Sequence, residues 1–353
     1  MDEEKMEKAD IKSMTLPELE EALVQMGEKR FRAKQVYQWI HEKLVPDFAG
    51  MTNLSAALRQ ALEERFFLTC LKPVKVRVSQ IDGTRKYLFA LADGHVIESV
   101  WMQYHHGNSV CISTQVGCRM GCRFCASTLD GLERNLTVAE LLDQVYRIQV
   151  LTGERVSNVV LMGSGEPLDN YDTVLKFLRM ISGSGGLNIS QRNITLSTCG
   201  IVPGIQRLAQ EKLQITLALS LHATSDEVRK SLMPVASRYG LKEVLDACRE
   251  YFAVTGRRMT FEYSLVGGVN DSPGEALALA RLLKGMHGHV NLIPVNPIRE
   301  RDFVQSDQRA VREFQRILEE QGIPATVRRE MGRDIQGACG QLRRSFMKEN
   351  EGG

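Results

Sequence analysis

Three cysteines stand on one short segment, Cys118-Arg119-Met120-Gly121-Cys122-Arg123-Phe124-Cys125. Their soft thiolates suit either zinc or an iron–sulfur cluster. A structural zinc site takes four ligands, commonly from two separated pairs, and no second Cys-x-x-Cys pair follows this segment. An iron–sulfur cubane held by three cysteines leaves one of its irons open to a substrate. The spacing therefore favours a 4Fe-4S cluster, with zinc and three buried structural thiols as alternatives.

Polar residues also follow several apolar runs of the chain. The segment Gly163-Ser164-Gly165-Glu166-Pro167-Leu168 comes directly after Val159–Met162, and glycines at such a turn permit a close approach of the backbone to a ligand. Taken singly, each of the other polar residues is typical of a satisfied residue in a protein core. Their shared position at the ends of apolar runs makes candidates of Ser197, Ser220, His222 and Asn296.

The elements that must position these residues form a repeating pattern from Ser109 onward. Short, nearly continuous apolar runs alternate with helical stretches, as expected for parallel strands that are buried on both faces. The runs are Val110–Ile112, Val156–Met162, Ile194–Ser197, Ile215–Leu221, Met259–Val266 and Val290–Val295. Six strand–helix units predict an α/β barrel or open barrel, in which the chemistry collects at the carboxyl ends of the strands.

The chain before Ser109 has a different texture. An apolar stripe of Leu16, Leu19, Leu23 and Met26 predicts helices in the first part. After it, short alternating runs with Asp82–Gly83 and Asp93–Gly94 as hairpin turns predict strands. We therefore divide the chain into a small helical accessory domain at 1–72, a short β connector at 73–103, the α/β core at 104–334 and a C-terminal segment at 335–353.

Composition excludes several classes of protein. Hydrophobic residues make up 43% and charged residues 25% of the 353 residues, which is typical of a globular protein. No apolar stretch approaches the ~20 residues of a membrane span, and the start does not resemble a signal peptide, so we expect a cytoplasmic protein. Eight cysteines in that compartment favour metal or catalytic chemistry over a disulfide framework.

The charge of the chain neither indicates nor excludes a nucleic acid as partner. The formal net charge is only +2. Basic residues nevertheless cluster in two segments, at 27–43 and at 323–348. Such clusters are often only solvated surface, but they permit an RNA partner.

The cysteine segment, with Phe124 before its last cysteine, resembles that of the radical S-adenosylmethionine enzymes. Within that superfamily, Cys111, the segment Gln115-Val116-Gly117-Cys118 and the segment Ala338-Cys339-Gly340-Gln341-Leu342 resemble the RlmN-type RNA adenine methyltransferases over nearly the whole chain. The resemblance implies a partial (βα)6 barrel and a 4Fe-4S cluster on Cys118, Cys122 and Cys125, whose open iron binds S-adenosylmethionine. The cofactor contacts that it implies are Gly165, Glu166, Ser197, Ser220, Leu221, His222 and Asn296.

The resemblance also implies a reaction, the methylation of carbon 2 of an adenine in 23S rRNA and in tRNA. Cys339 would take a methyl group from one S-adenosylmethionine, and a second would yield a 5′-deoxyadenosyl radical that abstracts hydrogen from this S-methyl group. The carbon radical would add to the base, and Cys111 would then attack the sulfur of Cys339, release the product and leave a transient disulfide. Glu98 matches the proton acceptor of the family.

The implied partners are 23S rRNA, tRNA and an electron donor such as flavodoxin or ferredoxin, and we expect a monomer without a membrane partner. The N-terminal domain and the basic C-terminal segment would hold the RNA. One alternative is the related carbon-8 methyltransferase of 23S rRNA, which Pro167 disfavours because those relatives tend to have alanine there. The other is a non-enzymatic iron–sulfur or zinc module that binds RNA, which leaves Cys111 and Cys339 unexplained. Ser164, Cys199 and Gln336-Gly337 depart from the family pattern.

Overall fold

A computed structural model describes residues 8–105, 107–296, 301–335 and 340–351, with side chains in the last stretch as far as Met347. Cys339, predicted to carry the methyl group, lies outside the described residues. The α-helices within the described ranges are α1 (Leu16–Gln25), α2 (Phe31–His41), α3 (Ala56–Arg65), α4 (Val138–Thr152), α5 (Tyr171–Ser182), α6 (Val202–Gln210), α7 (Asp226–Leu232), α8 (Leu241–Thr255), α9 (Pro273–Leu283), α10 (Gln308–Glu320) and α11 (Gln341–Glu351).

Most of the strands join one large sheet. In the same ranges the strands are β1 (Ala9–Asp10), β2 (Phe66–Phe67), β3 (Lys72–Val78), β4 (Arg85–Ala90), β5 (Val96–Tyr104), β6 (Gly107–Cys111), β7 (Gln115–Gly117), β8 (Leu132–Asn135), β9 (Val156–Leu161), β10 (Ile194–Thr198), β11 (Thr216–Ser220), β12 (Met259–Leu265), β13 (Gly288–Pro294) and β14 (Ala325–Val327). The ten-stranded sheet has the order β14-β13-β12-β11-β10-β9-β6-β5-β4-β3.

The strands from β6 through β9 to β14 pair in parallel, and helices connect most of them. This confirms the predicted α/β fold, since β6 and β9 to β13 coincide with the six apolar runs. Strand β14 is a seventh parallel strand that the sequence did not predict. It has only three residues, and two of them are exposed, so it lacks the apolar run of a buried strand.

Strands β3, β4 and β5 pair antiparallel with one another, and β5 pairs with β6. The sequence predicted a short β connector at 73–103. In the structure that boundary falls within β5, and the hairpins continue the sheet of the core. The predicted turns at Gly83 and Gly94 lie between the paired strands, and both glycines adopt positive φ, +73° and +87°.

Helices α1 to α3 form the predicted N-terminal helical part, together with the short parallel pair of β1 and β2. Their apolar side chains belong to the same hydrophobic core as the barrel. A buried ion pair joins the two parts, because Nζ of Lys12 lies 2.5 Å from Oδ1 of Asp143 on α4. Among the described helices, none has both the length and the apolar character needed to cross a membrane.

Candidate active site

Most of the predicted site residues line one cavity of about 200 Å³ at the carboxyl ends of the parallel strands. The cavity brings together Cys118, Cys122, Cys125, Gly165, Glu166, Ser197, Ser220 and His222. Leu221 is fully buried behind this wall, where its carbonyl accepts a hydrogen bond from Arg229. Asn296 lines a neighbouring cavity instead.

The cysteine segment is held in place by the side chain of Thr128 and by α7. The carbonyls of Cys122 and Cys125 both accept hydrogen bonds from the hydroxyl of Thr128, at 2.9 and 3.0 Å. The N–H of Arg123 donates to the carbonyl of Leu232 on α7. Burial raises the pKa of the Cys118 thiol to about 12, and a bound metal would have to displace that proton.

The buried thiols of Cys118 and Cys122 and the half-buried thiol of Cys125, in a partly apolar wall, are a donor set that fits an iron–sulfur cluster. Met120 and Phe124 pack into the same apolar group as Cys122 and Cys125. Within the described ranges, no three His, Cys, Asp or Glu side chains lie close enough together to hold one metal ion between them.

The glycines of the Gly163–Glu166 turn approach protein backbone and also line the first cavity, so their close approach to a ligand stays a prediction. A Cβ on Gly163 would lie 2.5 Å from the carbonyl oxygen of Ile112. A Cβ on Gly165, where φ is +110°, would lie 2.7 Å from the amide nitrogen of Gln115. The glycines therefore allow the turn after β9 to pack on the segment between β6 and β7, which brings Glu166 to the cavity.

The carboxylate of Glu166 connects the ends of β9 and β10. One of its oxygens accepts a hydrogen bond from the N–H of Cys199 at 2.8 Å, and the other accepts one from the N–H of Leu168 at 3.1 Å. Burial raises the pKa of Glu166, and these hydrogen bonds oppose the rise.

Gln115 fixes the backbone of Glu166, a role that the sequence analysis did not assign. Its Oε1 accepts a hydrogen bond from the N–H of Glu166 at 2.9 Å, and its Nε2 donates to Asp169 at 2.9 Å. Asp169 in turn forms an ion pair with Arg119 of the cysteine segment. The only signal in the sequence was the position of Gln115 three residues before Cys118.

His222 adopts a positive φ of +57° and is buried. Its Nδ1 accepts a hydrogen bond from the N–H of Ser264 at 2.9 Å, so the ring proton is on Nε2. Burial and the nearby Arg229 lower the pKa of His222 to about 3. The imidazole is therefore neutral, and its ring contacts the ring of Phe124 edge-on at 4.8 Å between centroids.

Arg229 is a second residue that the sequence analysis missed. It is fully buried, and its guanidinium donates to the carbonyls of Cys199 at 2.7 Å and Leu221 at 3.2 Å. It thereby joins the ends of β10 and β11 beneath the cavity. Burial lowers the pKa of this guanidinium.

A second cavity, of about 280 Å³, adjoins the first. Cys125 and Phe124 line both cavities, and Cys111, Asn296 and Gln341 line the second. The C-terminal segment thus reaches the cysteine segment. Gly340, where φ is +80°, packs so closely on the residues after Cys125 that an added Cβ would lie 2.7 Å from the amide nitrogen of Ser127.

Glu98 is buried on β5 and is not among the residues that line the two cavities. Its Oε2 lies 3.0 Å from Nζ of Lys86 and accepts a hydrogen bond from the N–H of Gly340 at 2.7 Å. Its Oε1 accepts one from the N–H of Arg343 at 2.5 Å. Both oxygens are therefore engaged with Lys86 and the start of α11, and the role of Glu98 as a proton acceptor stays a prediction.

Comparisons with known proteins agree with this arrangement. A sequence model of the "Ribosomal RNA large subunit methyltransferase N-terminal domain" matches residues 9–68, and one of the radical SAM superfamily matches residues 112–280. A protein of Lachnospira eligens named "Probable dual-specificity RNA methyltransferase RlmN" is 60% identical over 347 residues, which cover 98% of this chain and 99% of the relative. A protein of the same name from Lachnoclostridium phytofermentans is 62% identical over 340 residues, 96% of each chain.

Among solved structures, a radical SAM methyltransferase from Sphaerobacter thermophilus superposes with a TM-score of 0.91. It is 46% identical, and the match covers 94% of this chain and 98% of that one. Since the relatives match over nearly their full length, the chain is an enzyme that belongs to the RlmN family of radical S-adenosylmethionine methyltransferases.

Proposed function

We propose that this enzyme methylates carbon 2 of a specific adenine in 23S rRNA and in tRNA. It would use two molecules of S-adenosylmethionine per turnover, with Cys339 as the methyl carrier. RNA as the substrate class is supported by the names of the curated relatives, which are dual-specificity RNA methyltransferases. Transfer of the methyl group through a carrier cysteine is supported by the chain's own C-terminal segment.

The observation that carries the proposal is the position of the start of α11. Gly340 packs on Ser127, two residues after Cys125, and Gln341 lines the same cavity as Cys111. In the sequence, Cys339 directly precedes Gly340. A carrier at Cys339 would therefore be attached beside both the cysteine segment and the second thiol.

The first cavity suits S-adenosylmethionine next to a 4Fe-4S cluster on Cys118, Cys122 and Cys125. When bound, the cluster supplies the electron that cleaves S-adenosylmethionine to a 5′-deoxyadenosyl radical, and the protein supplies orientation. Gly165, Glu166, Ser197, Ser220 and His222 would form the wall around the cofactor. A neutral His222 adds no positive charge beside the sulfonium.

The second cavity suits the target base. A base inside folded RNA must be splayed out to reach such a site. Arg328 and Arg329 line this cavity and are exposed, so their guanidinium groups could bind phosphates at its mouth. Asn296 lines the same cavity and would contact the ligands from the β13 side.

Two thiols would take part in the transfer, Cys339 as the carrier of the methyl group and Cys111 as the thiol that releases the product. The thiolate of Cys339 attacks the methyl carbon of the first S-adenosylmethionine. A bond from the sulfur of Cys339 to the methyl group forms as the sulfonium–methyl bond breaks, and S-adenosylhomocysteine leaves. After the methylene bridge to the base has formed, the adduct radical would return one electron to the oxidised electron donor and lose the hydrogen of carbon 2 as a proton. The thiolate of Cys111 then attacks the sulfur of Cys339. An S–S bond forms and the S–C bond breaks, and its electron pair takes up a proton to complete the methyl group. A thiol reductant then reduces the disulfide. Flavodoxin or ferredoxin would reduce the cluster, and the enzyme would act as a monomer.

Replacement of the two thiols in the anaerobically reconstituted enzyme tests the proposal. We expect Cys339→Ala to abolish methylation of rRNA and tRNA, and Cys111→Ala to accumulate a covalent protein–RNA adduct that survives denaturing electrophoresis. Cys70→Ala is the matched control, because Cys70 is only half-buried and lines neither cavity. Unchanged methylation by Cys339→Ala would overturn the mechanism.

The position of the methyl group needs its own measurement. Digestion of the RNA product to nucleosides, followed by mass spectrometry against standards, separates 2-methyladenosine from 8-methyladenosine. We expect 2-methyladenosine alone, and 8-methyladenosine would assign the enzyme to carbon 8.

A further inference from the structure

The antiparallel strands β3 to β5 form an extension of the core sheet. The ion pair of Glu98 and Lys86 joins two neighbouring strands of this sheet extension, β5 and β4. Lys86 is fully buried and Glu98 is 5% exposed. Buried charges of this kind destabilise a protein unless they are paired and hydrogen-bonded.

The carboxylate of Glu98 binds the first turn of α11. The N–H groups that begin a helix have no partner within it, and an acidic group there also interacts favourably with the helix dipole. Glu98 accepts hydrogen bonds from two such groups, those of Gly340 and Arg343. Leu342, between them, is fully buried against Leu88 and Val96 of the same two strands.

The chain on the other side of residues 336–339 is also bound to the sheet extension. Asp334 accepts hydrogen bonds from the hydroxyl of Ser79 at 2.6 Å and from the N–H of Gln80 at 2.8 Å. Asp82 accepts one from the N–H of Gly332 at 2.9 Å. The carboxylates of Asp82 and Asp334 thus fix the chain before the stretch that contains Cys339, and the carboxylate of Glu98 fixes it afterwards.

We propose that Glu98, paired with Lys86, is a positioning residue that docks the start of α11 on the sheet and thereby sets the position of Cys339 at the active site. The inference rests on the proposed function, in which Cys339 carries the methyl group. It differs from the role of Glu98 as a proton acceptor, because positioning acts before any RNA is bound. The first methyl transfer, from S-adenosylmethionine to the sulfur of Cys339, should therefore already depend on Glu98.

The test uses the full-length, reconstituted enzyme without RNA. We expect Glu98→Gln and Lys86→Met to speed amide hydrogen exchange in α11 by at least ten-fold. We expect the rate constant for methylation of Cys339, followed by intact mass, to fall by at least ten-fold while the dissociation constant of S-adenosylmethionine stays unchanged. That split would not arise from a general loss of folded protein.

Further variants keep the test decisive. Leu342→Ala weakens the docking of α11 without touching the carboxylate, and we expect it to show the same two losses even if Glu98→Gln fails to fold. Glu63→Gln, at an exposed glutamate on α3, is the matched control and should behave as the wild type. Wild-type exchange in α11 together with wild-type methylation of Cys339 in Glu98→Gln would overturn the inference.

The two proposals fail in different ways. If the wild-type enzyme never methylates Cys339, the carrier mechanism is wrong, whereas the exchange measurement on α11 still decides whether Glu98 docks the helix. If Glu98→Gln methylates Cys339 normally but stalls after RNA is added, Glu98 acts later in the reaction and is not the positioning residue.

Discussion

The backbone of Gly340 packs directly on the backbone of Ser127. A Cβ at Gly340 would lie 2.7 Å from the amide nitrogen of Ser127 and 3.0 Å from the carbonyl carbon of Ala126. Because backbone atoms cannot move away as the end of a flexible side chain can, only glycine fits between these segments. This contact joins the start of α11 to the residues that follow Cys125.

The first prediction is that Gly340→Ala separates the C-terminal segment from the cysteine segment. We expect methyl transfer to RNA to fall by at least ten-fold at unchanged iron content, because the added methyl group meets backbone. The matched control is Gly322→Ala, where φ is +77° but no atom lies within 4 Å of the added Cβ. It carries the same left-handed strain, ~1–2 kcal/mol, and should keep its activity. Equal activity of the two variants would contradict the prediction.

The second prediction concerns the junction between the N-terminal helices and the core. Nζ of Lys12 lies 2.5 Å from Asp143, which also accepts a hydrogen bond from the N–H of Leu71 at 2.6 Å. Asp143→Asn leaves a buried ammonium without its counter-charge, and we expect the free energy of unfolding to fall by about 3–5 kcal/mol. Adding Lys12→Met removes the stranded charge and should restore part of the loss.

Urea unfolding of the single and double variants measures both effects. The exposed pair of Lys242 and Asp246 on α8 serves as the control, and Asp246→Asn should leave the unfolding midpoint unchanged. A double variant that is no more stable than Asp143→Asn alone would show that Lys12 is not stranded by the substitution.

The sequence predicted the parts of the fold that depend on patterns within a short segment, and not those that depend on contacts between distant residues. Strands β9 to β13 lie where continuous apolar runs predicted them, because burial on both faces leaves a local pattern. The cysteine segment was recognisable for the same reason, because Cys118, Cys122 and Cys125 lie close together in the sequence. The partners of Glu98 on α11 are 242 and 245 residues away in the chain, and no pattern within β5 could indicate them.

Arg229 shows the same limit within the site. It lies in Asp-Glu-Val-Arg-Lys-Ser-Leu, the sequence of α7, whose charges are typical of an exposed helix. The structure instead buries its guanidinium beneath the ends of β10 and β11. A residue that binds backbone carbonyls of distant strands depends on the packing of the whole barrel, which a local charge pattern does not record.

The third prediction concerns the pH dependence of stability. Burial lowers the pKa of His41 from 6.5 to about 3, and its Nδ1 lies 2.9 Å from the hydroxyl of Tyr146. Below pH 6.5 the unfolded chain therefore binds a proton that the folded chain does not bind. The contribution of neutral His41 to the free energy of unfolding is fully present above pH 6.5 and is lost as the pH falls toward 3. At pH 5 this loss is about 2 kcal/mol.

Comparison of unfolding midpoints at pH 7 and pH 5 tests this dependence. His41→Gln removes the titrating group, so the loss between the two pH values should be about 2 kcal/mol smaller than in the wild type. His287→Gln, at an exposed histidine, should retain the wild-type loss. A wild-type pH dependence in His41→Gln would show that this histidine is not the group that titrates.

The last prediction isolates the residue that holds Glu166 at the cavity. Gln115 is fully buried, and its side chain binds the N–H of Glu166, Asp169 and Asn135. Gln115→Leu keeps the volume but leaves these groups without their partner, and each buried polar group left unpaired costs about 1–3 kcal/mol. We expect about 1.4 kcal/mol of this cost to be lost from the binding free energy of S-adenosylmethionine, which lowers its affinity ten-fold.

Equilibrium dialysis of S-adenosylmethionine with the reconstituted variant measures this loss. Iron content should stay at the wild-type level, because Gln115 does not contact the three thiols directly. Gln206→Leu, at an exposed glutamine on α6, controls for the change of residue type and should bind the cofactor normally. Unchanged affinity in Gln115→Leu would mean that the turn after β9 keeps its position through the backbone packing of Gly163 and Gly165 alone.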